Sequence, residues 1–174
     1  MNKDDIRRRI KARKTLLSES EKLSAAERVF EMLEKTADFI ISNKILMYHS
    51  LPDELSTRAF IKKWSGRKKF YLPRVNGLNL EILPYQESRI ALGSFHIEEP
   101  TGTDLTNVDE MEMIVIPGVA YDRRGNRVGR GKGYYDRLLS GTKARKIGVA
   151  YDFQLVDVKV DIVITDKVTV RVKS

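Results

Sequence analysis

Residues 111–118, MEMIVIPG, constrain the fold more than any other stretch of the chain. Four apolar residues run from Met113 to Ile116 without polar alternation, and Pro117-Gly118 stops them. A strand of that kind is built to be covered on both faces. Residues 44–50 (KILMYHS) form a second short apolar run suited to a buried strand, and shorter β-branched runs follow at 145–151, 161–165 and 168–172. Residues 68–74 and 78–85 read as strands separated by the turn signal Val75-Asn76-Gly77.

Between these runs the period changes to that of helices. Ile6, Ile10 and Leu17 fall near one face of a helix over 3–17. Ser18–Glu21 (SESE) and Ser24–Glu27 (SAAE) both fit a capping box. The first, with Leu23, Val29, Phe30, Leu33, Ala37 and Ile40, predicts an amphipathic helix to about residue 41. Residues 57–65 predict a helix ending at Gly66, in which Trp64 joins Phe60 and Ile61 in the core, and 131–140 predict another. Residues 86–109 and 119–130 read as loops. Helices interspersed with apolar strands imply an α/β single domain over 1–174, with a mostly parallel sheet and helices on both faces. Ligands of such sheets sit at the carboxyl ends of the strands, so the loops after 50, 73, 117 and 151 should line the site.

The chain has no cysteine, which removes disulfides and thiolate metal sites and points to a reducing compartment. No apolar run approaches the ~20 residues of a membrane span. The N-terminal residues lack the apolar stretch of a secretory signal, and Asp4 and Asp5 argue against a transit peptide. A cytoplasmic protein is expected.

The net charge of +8 is focused. Residues 1–14 hold seven Lys/Arg and two Asp, a net +5; residues 121–137 hold six and two, a net +4; everything else together comes to −1. Such focusing suggests a polyanionic partner, either nucleic acid or polyphosphate, although solvated helix faces would also carry this charge.

The second basic segment contains GNRVGRGKGYYDR, Gly125 to Arg137, with four glycines and four cations in thirteen residues. It is not a Walker A loop, because Gly133 follows Gly131-Lys132 where a hydroxyl is needed and Asn126 stands at the first glycine position. It is not a dinucleotide fingerprint either. Gly129-Arg130-Gly131 begins correctly, but Gly133 comes one position early and the preceding strand should end about ten residues upstream. The physics of anion binding survives both failures. Glycines let backbone N–H groups approach a phosphate, a helix N-terminus adds partial positive charge, and Arg127, Arg130 and Lys132 supply fixed charge. Asp136 could hold a magnesium ion already bridging phosphates, and Tyr134 and Tyr135 offer faces or hydroxyls to an organic ligand. A glycine-rich surface turn, or an RNA-binding loop with stacking tyrosines, would have the same composition.

The block VIPGVAYDRRGNRVGRGKGYYDR closely resembles the signature of the 5-formyltetrahydrofolate cyclo-ligase family. Lys3-Asp-Asp-Ile6-Arg7 matches the family's opening motif, LMYHSLPDELST its acidic loop, FYLPR a strand ending Pro-Arg, GSFHIEEP a segment before a proline, and Asp157-Val-Lys-Val-Asp161 a C-terminal Asp pair. The matches run in order from residue 3 to about 165. The resemblance implies an open, Rossmann-like sheet and an ATP- and Mg²⁺-dependent conversion of 5-formyltetrahydrofolate to 5,10-methenyltetrahydrofolate, with release of ADP and phosphate.

The resemblance also implies roles. Lys3 and Arg7, four apart on one helix face, carry over as ATP contacts. Arg127, Gly129, Arg130, Gly131, Lys132, Gly133, Tyr134 and Tyr135 carry over as the triphosphate loop, with Arg130 to Tyr134 also reaching the folate. Lys132, with Arg130, is expected to stabilise the transferring phosphoryl group. Asp136 and Asp157 carry over as magnesium ligands, and Glu54 as a hydrogen-bond partner of the pterin. His49, Tyr48 and Phe95 are further candidates for the substrate pocket, and His96 reads as a surface residue. The expected partners are a reduced folate and ATP, not nucleic acid or membrane, and a monomer is expected. The competing readings are an RNA-binding module and a same-fold ATP-dependent enzyme with another substrate.

Overall fold

Residues 2–93, 98–156, 162–165, 167 and 169–171 are described by the computed structural model. Helix α1 (Lys3–Lys14) begins where the Asn2 side chain accepts a hydrogen bond from the Asp5 N–H, with acids in the first turn and bases in the last. Helix α2 (Glu19–Glu34) starts at the reciprocal capping box of Ser18 and Glu21. The second capping signal is not used, since Ala25 and Ala26 are buried inside α2. Nor does α2 run to residue 41. The Thr36 hydroxyl donates to the Leu33 carbonyl (2.7 Å) and accepts from the Phe39 N–H (3.1 Å), closing α2 and capping a separate helix α3 (Ala37–Ile41).

Strand β1 (Lys44–Leu46) and helix α4 (Arg58–Trp64) follow. Strands β2 (Lys69–Asn76) and β3 (Asn79–Pro84) form a hairpin turning through Gly77, whose φ of 62° is open to glycine. The expected loop 86–109 contains an antiparallel pair, β4 (Ile90–Leu92) and β5 (Glu98–Pro100). After β6 (Met113–Ile116), the expected loop 119–130 is a second hairpin, β7 (Ala120–Asp122) and β8 (Arg127–Val128). Both pairs have too few residues for a visible period of two, so the sequence pattern does not announce them. Helix α5 (Tyr134–Leu139) is shorter than expected, and β9 (Arg145–Val149), β10 (Leu155–Val156), β11 (Ile162–Ile164) and β12 (Thr169–Arg171) complete the chain.

The main sheet has the order β12-β11-β9-β6-β1-β2-β3. Its five inner strands are parallel, and β12 and β3 flank them antiparallel. Successive residues of β1, β2 and β6 enter different cores. Ile45, Phe70, Leu72, Met113, Val115 and Ile147 pack with Val29, Leu33, Phe39 and Phe60 of α2, α3 and α4. Leu46, Tyr71, Ile114 and Ile116 pack with Tyr121, Leu138 and Leu139 on the other face. This is the sandwiched sheet that the run Met113–Ile116 requires. Helices α3 and α5, of five and six residues, are far below the ~12–15 residues of a self-sustaining helix, so burial of Phe39 and the packing of the partly buried α5 leucines against the core hold them in place.

A small sheet, β10-β7-β8, carries α1, whose Ile10 is buried against Val119, Ala120 and Val128. In the main sheet the chain moves from β1 to β2 on one side, then crosses to β6, β9 and β11 on the other. The winding therefore reverses between β1 and β6, and the carboxyl ends of these two strands diverge into a crevice.

Candidate active site

A cavity of about 480 Å³ opens at this crevice. One wall is the segment after β1. The buried Tyr48 donates its hydroxyl to the Leu55 carbonyl (2.8 Å), and the Thr57 hydroxyl returns to the Tyr48 carbonyl (2.7 Å). The Ser50 hydroxyl accepts from the Thr57 N–H (3.2 Å). These bonds close residues 48–57 on themselves and turn Glu54 into the cavity, where its side chain is 12% exposed. Its Oε1 accepts from the Leu51 N–H (2.9 Å), and its Oε2 lies 3.7 Å from Nη2 of Arg130. Burial outweighs these contacts and pushes the Glu54 carboxyl above its ordinary pKa. His49 has Nδ1 3.2 Å from Oε2 of Glu98. Burial, reinforced by Arg58, lowers its pKa against the pull of Glu98, so at neutral pH His49 is an uncharged partner of that carboxylate.

The facing wall is the glycine-rich stretch. Strand β8 ends at Val128, so Gly129 follows a strand directly; the expected ten-residue gap is corrected by the β7–β8 hairpin. The Asp122 carboxylate forms that turn by accepting from the N–H groups of Arg124 (2.9 Å) and Asn126 (2.7 Å). Gly131 (φ 102°) and Gly133 (φ 73°), which precedes α5, hold conformations that side chains resist. Guanidinium groups hold the stretch in place. Arg7 Nε donates to the Gly129 carbonyl (2.8 Å), Arg127 Nε to the Pro117 carbonyl (2.8 Å), and Arg137 to the carbonyls of Lys132 (2.9 Å) and Leu78 (2.7 Å). Arg127 also lies over the Tyr135 ring, 5.2 Å from its centre, and 3.5 Å from the Asp136 carboxylate. Tyr134 reaches the Gly77 carbonyl at 3.3 Å.

The cavity brings together Lys3, Arg7, His49, Glu54, Arg127, the glycines 129, 131 and 133, Arg130, Lys132, Tyr134, Tyr135 and Asp136. Phe95, His96, Asp157 and Asp161 lie outside the described residues. Pro73, Val75 and Leu80, which give the cavity an apolar side, carry no functional motif in the sequence, and neither does Asp53, whose Oδ1 accepts from Arg130 at 2.8 Å. The acid pair Asp53-Glu54 just after a buried strand was the available signal. The loop after 151 is a correction: Tyr151, Asp152 and Phe153 line a separate cavity beside Arg13 and Arg28. Tyr151 stacks on Phe153 there, with ring centres 5.5 Å apart.

Among the described residues no cluster of three acidic or imidazole groups could cage a metal by itself. The exposed Asp136 carboxylate at the cavity could hold a cation only together with ligands from outside the protein. No helix in the described residues is long and apolar enough to cross a membrane.

A sandwiched parallel sheet with a cationic, partly apolar cleft at its switch point defines a Rossmann-like α/β protein with a small-ligand site. The chain belongs to the 5-formyltetrahydrofolate cyclo-ligase family, whose sequence pattern it matches over residues 1–168. It is an enzyme, a cyclo-ligase. It is 30% identical to the 5-formyltetrahydrofolate cyclo-ligase of Haemophilus influenzae over 164 residues, 86% of this chain and 84% of that protein. Against the Escherichia coli K12 protein of the same name it is 30% identical over 128 residues, 68% and 70% of the two chains. The solution structure of Aquifex aeolicus 5,10-methenyltetrahydrofolate synthetase superposes with a TM-score of 0.90 at 32% identity, over 100% of this chain and 94% of that one.

Proposed function

We propose that the protein converts 5-formyltetrahydrofolate to 5,10-methenyltetrahydrofolate, using Mg-ATP and releasing ADP and phosphate. The observation that carries this reading is convergence. Cations from α1 (Lys3, Arg7) and from the glycine-rich stretch (Arg127, Arg130, Lys132) share one cavity with the buried acid Glu54 and the apolar side chains of Pro73, Val75 and Leu80. Such a site offers charge to a triphosphate and a shaped, hydrogen-bonding wall to a flat heterocycle.

The chemical difficulty is a formamide oxygen, a poor leaving group. In the proposed reaction that oxygen attacks the γ-phosphorus and the bond to ADP breaks. N10 then attacks the carbon of the N5-iminium phosphate, the C–O bond breaks, and phosphate and the N10 proton depart. Phosphoryl transfer depends on positioning and charge neutralisation. Lys3, Arg7 and Arg127 would hold the triphosphate, with the glycine N–H groups able to approach it closely. Lys132 and Arg130 would neutralise the charge that moves during transfer. Glu54 would accept hydrogen bonds from the pterin N–H groups, a strong interaction because the carboxylate is already removed from water. Asp136, with Asp157 as a proposed second ligand, would hold a magnesium ion, which would supply positive charge against the triphosphate.

The test is incubation with 5-formyltetrahydrofolate and Mg-ATP, following methenyltetrahydrofolate by its near-ultraviolet absorbance. Product that requires both substrates is expected; no product with competent folate and nucleotide overturns the assignment. Glu54 and Asp136 stand inside the cleft, where they would repel a polynucleotide backbone, so the RNA-binding reading is not favoured. Steep loss of RNA affinity with rising salt, alongside no turnover, would restore it.

A further inference from the structure

Lys14, the last residue of α1, is only 6% exposed. Its Nζ lies 3.7 Å from Oδ2 of Asp53, and Oδ1 of that carboxylate accepts from Arg130 Nη2 at 2.8 Å. Neither Lys14 nor Asp53 lines the cavity, whereas Arg130 does. Arg130 has a second carboxylate, Glu54, at 3.7 Å, so two cations and two acids form one chain of contacts. Burial lowers the Lys14 pKa against the pull of Asp53. The Asp53 carboxyl is held below its ordinary range by Lys14 and Arg130, despite its own burial. An apolar side chain at position 14 would avoid this desolvation, so packing alone does not account for a lysine there.

We infer that Lys14 and Asp53 are positioning residues for Arg130. Asp53 holds the guanidinium in register before a ligand binds, and Lys14 is the second counter-ion that keeps Asp53 paired when Arg130 turns to a phosphate. The inference rests on the triphosphate reading proposed above. Without Lys14, moving Arg130 to a ligand would leave a partly buried carboxylate unpaired, and Asp53 would compete with the ligand for Arg130. With Lys14 in place, the same movement exchanges one anion for another. The geometry of α1 supports the role. Arg7 of the same helix holds the Gly129 carbonyl, so α1 contacts the stretch at residue 129 directly and at residue 130 through Asp53. The apolar seat of α1 is small, centred on Ile10, which leaves these polar contacts to set its register.

The experiment measures Mg-ATP affinity by calorimetry, and steady-state kinetics, on the full chain and on Lys14→Met, Asp53→Asn and the double variant, each with a thermal melt. Lys14→Met should weaken Mg-ATP about tenfold. Asp53→Asn should tighten it about threefold while lowering kcat, because Arg130 is freed but no longer held in register. With Asn at position 53, Lys14→Met should change affinity less than about twofold. Equal weakening by Lys14→Met in both backgrounds would mean that Lys14 acts through its general field, and would overturn the inference. Asp53→Asn with unchanged affinity and kcat would overturn it as well. Should Lys14→Met fail to fold, Asp53→Asn and the double variant, which leaves no unpaired buried charge, still decide the matter. A wild-type chain that does not bind Mg-ATP overturns the nucleotide reading and this inference with it. A wild-type chain that binds, with all variants alike, removes only the positioning role.

Discussion

The two walls of the cleft are held in different ways. Residues 48–57 are closed by hydrogen bonds among themselves, through Tyr48, Ser50, Thr57 and Glu54, and present a single buried acid. The glycine-rich wall is held from outside, by guanidinium groups of Arg7 and Arg137 reaching its carbonyls and by Arg127 reaching back to Pro117. A self-closed wall keeps its shape whether or not a ligand is present, which suits recognition of a rigid heterocycle. A wall gripped by cations can exchange its internal partners for phosphate oxygens, which suits a charged, extended ligand. Rigidity and cationic charge are assigned to separate strand ends, β1 and β8, which are joined where Arg130 reaches Asp53.

Substitutions in one wall at a time test this contrast. The largest effect is expected from Lys132→Ala, which should lower kcat at least about a hundredfold with an unchanged melting temperature, since it removes charge stabilisation from a wall that does not hold the core. Near-normal turnover would remove Lys132 from the proposed role. Glu54→Gln comes next, raising KM for the folate about 10- to 100-fold by loss of a charged hydrogen bond, with KM for ATP little changed. Its stability should change in the opposite sense. Glu54 has a raised pKa in the fold, so the folded state keeps a proton that the unfolded chain releases, and stability falls as pH rises above the ordinary carboxyl value. The glutamine variant lacks this loss. Its melting temperature should match wild type near pH 4 and exceed it at pH 7; a deficit at pH 7 would contradict the burial argument. The smallest effect is expected from Thr57→Val, which deletes the buried donor to the Tyr48 carbonyl. It should cost about 1–2 kcal/mol, or roughly 3–6 °C in Tm, and raise KM for folate only a few-fold. A larger effect on KM for ATP than for folate would show that the walls are not separable.

Much of this was legible along the chain. The run Met113–Ile116 demanded a sheet covered on both faces, and the strand ends at residues 50 and 117 placed the crevice. The glycines at 131 and 133 and the cations around them marked the glycine-rich wall of the cavity, because backbone conformation and charge are local properties. The expected site loop after residue 151 was misplaced, since Tyr151 is committed to Phe153 and turns to another cavity. The hairpin β7–β8 was missed because its strands are too short to show a period, although Asp122 and Gly125 carry its turn. Thr36 divided a helix whose apolar pattern ran on unbroken, because a hydroxyl that can cap is invisible to hydrophobic periodicity.

The layer architecture, the neutral body with two basic segments, and the residue types of the glycine-rich wall are written into the order of residues. All of these follow from the order of apolar, charged and conformationally permissive residues. Which residues share a cavity is settled by folding in three dimensions: Lys3 and Arg7 line it with Lys132, Pro73 and Leu80 line the same space, and Lys14 reaches Arg130 through Asp53. These meetings depend on strand order and on where α1 docks. Contacts between residues far apart in sequence are set by packing, which no local pattern encodes.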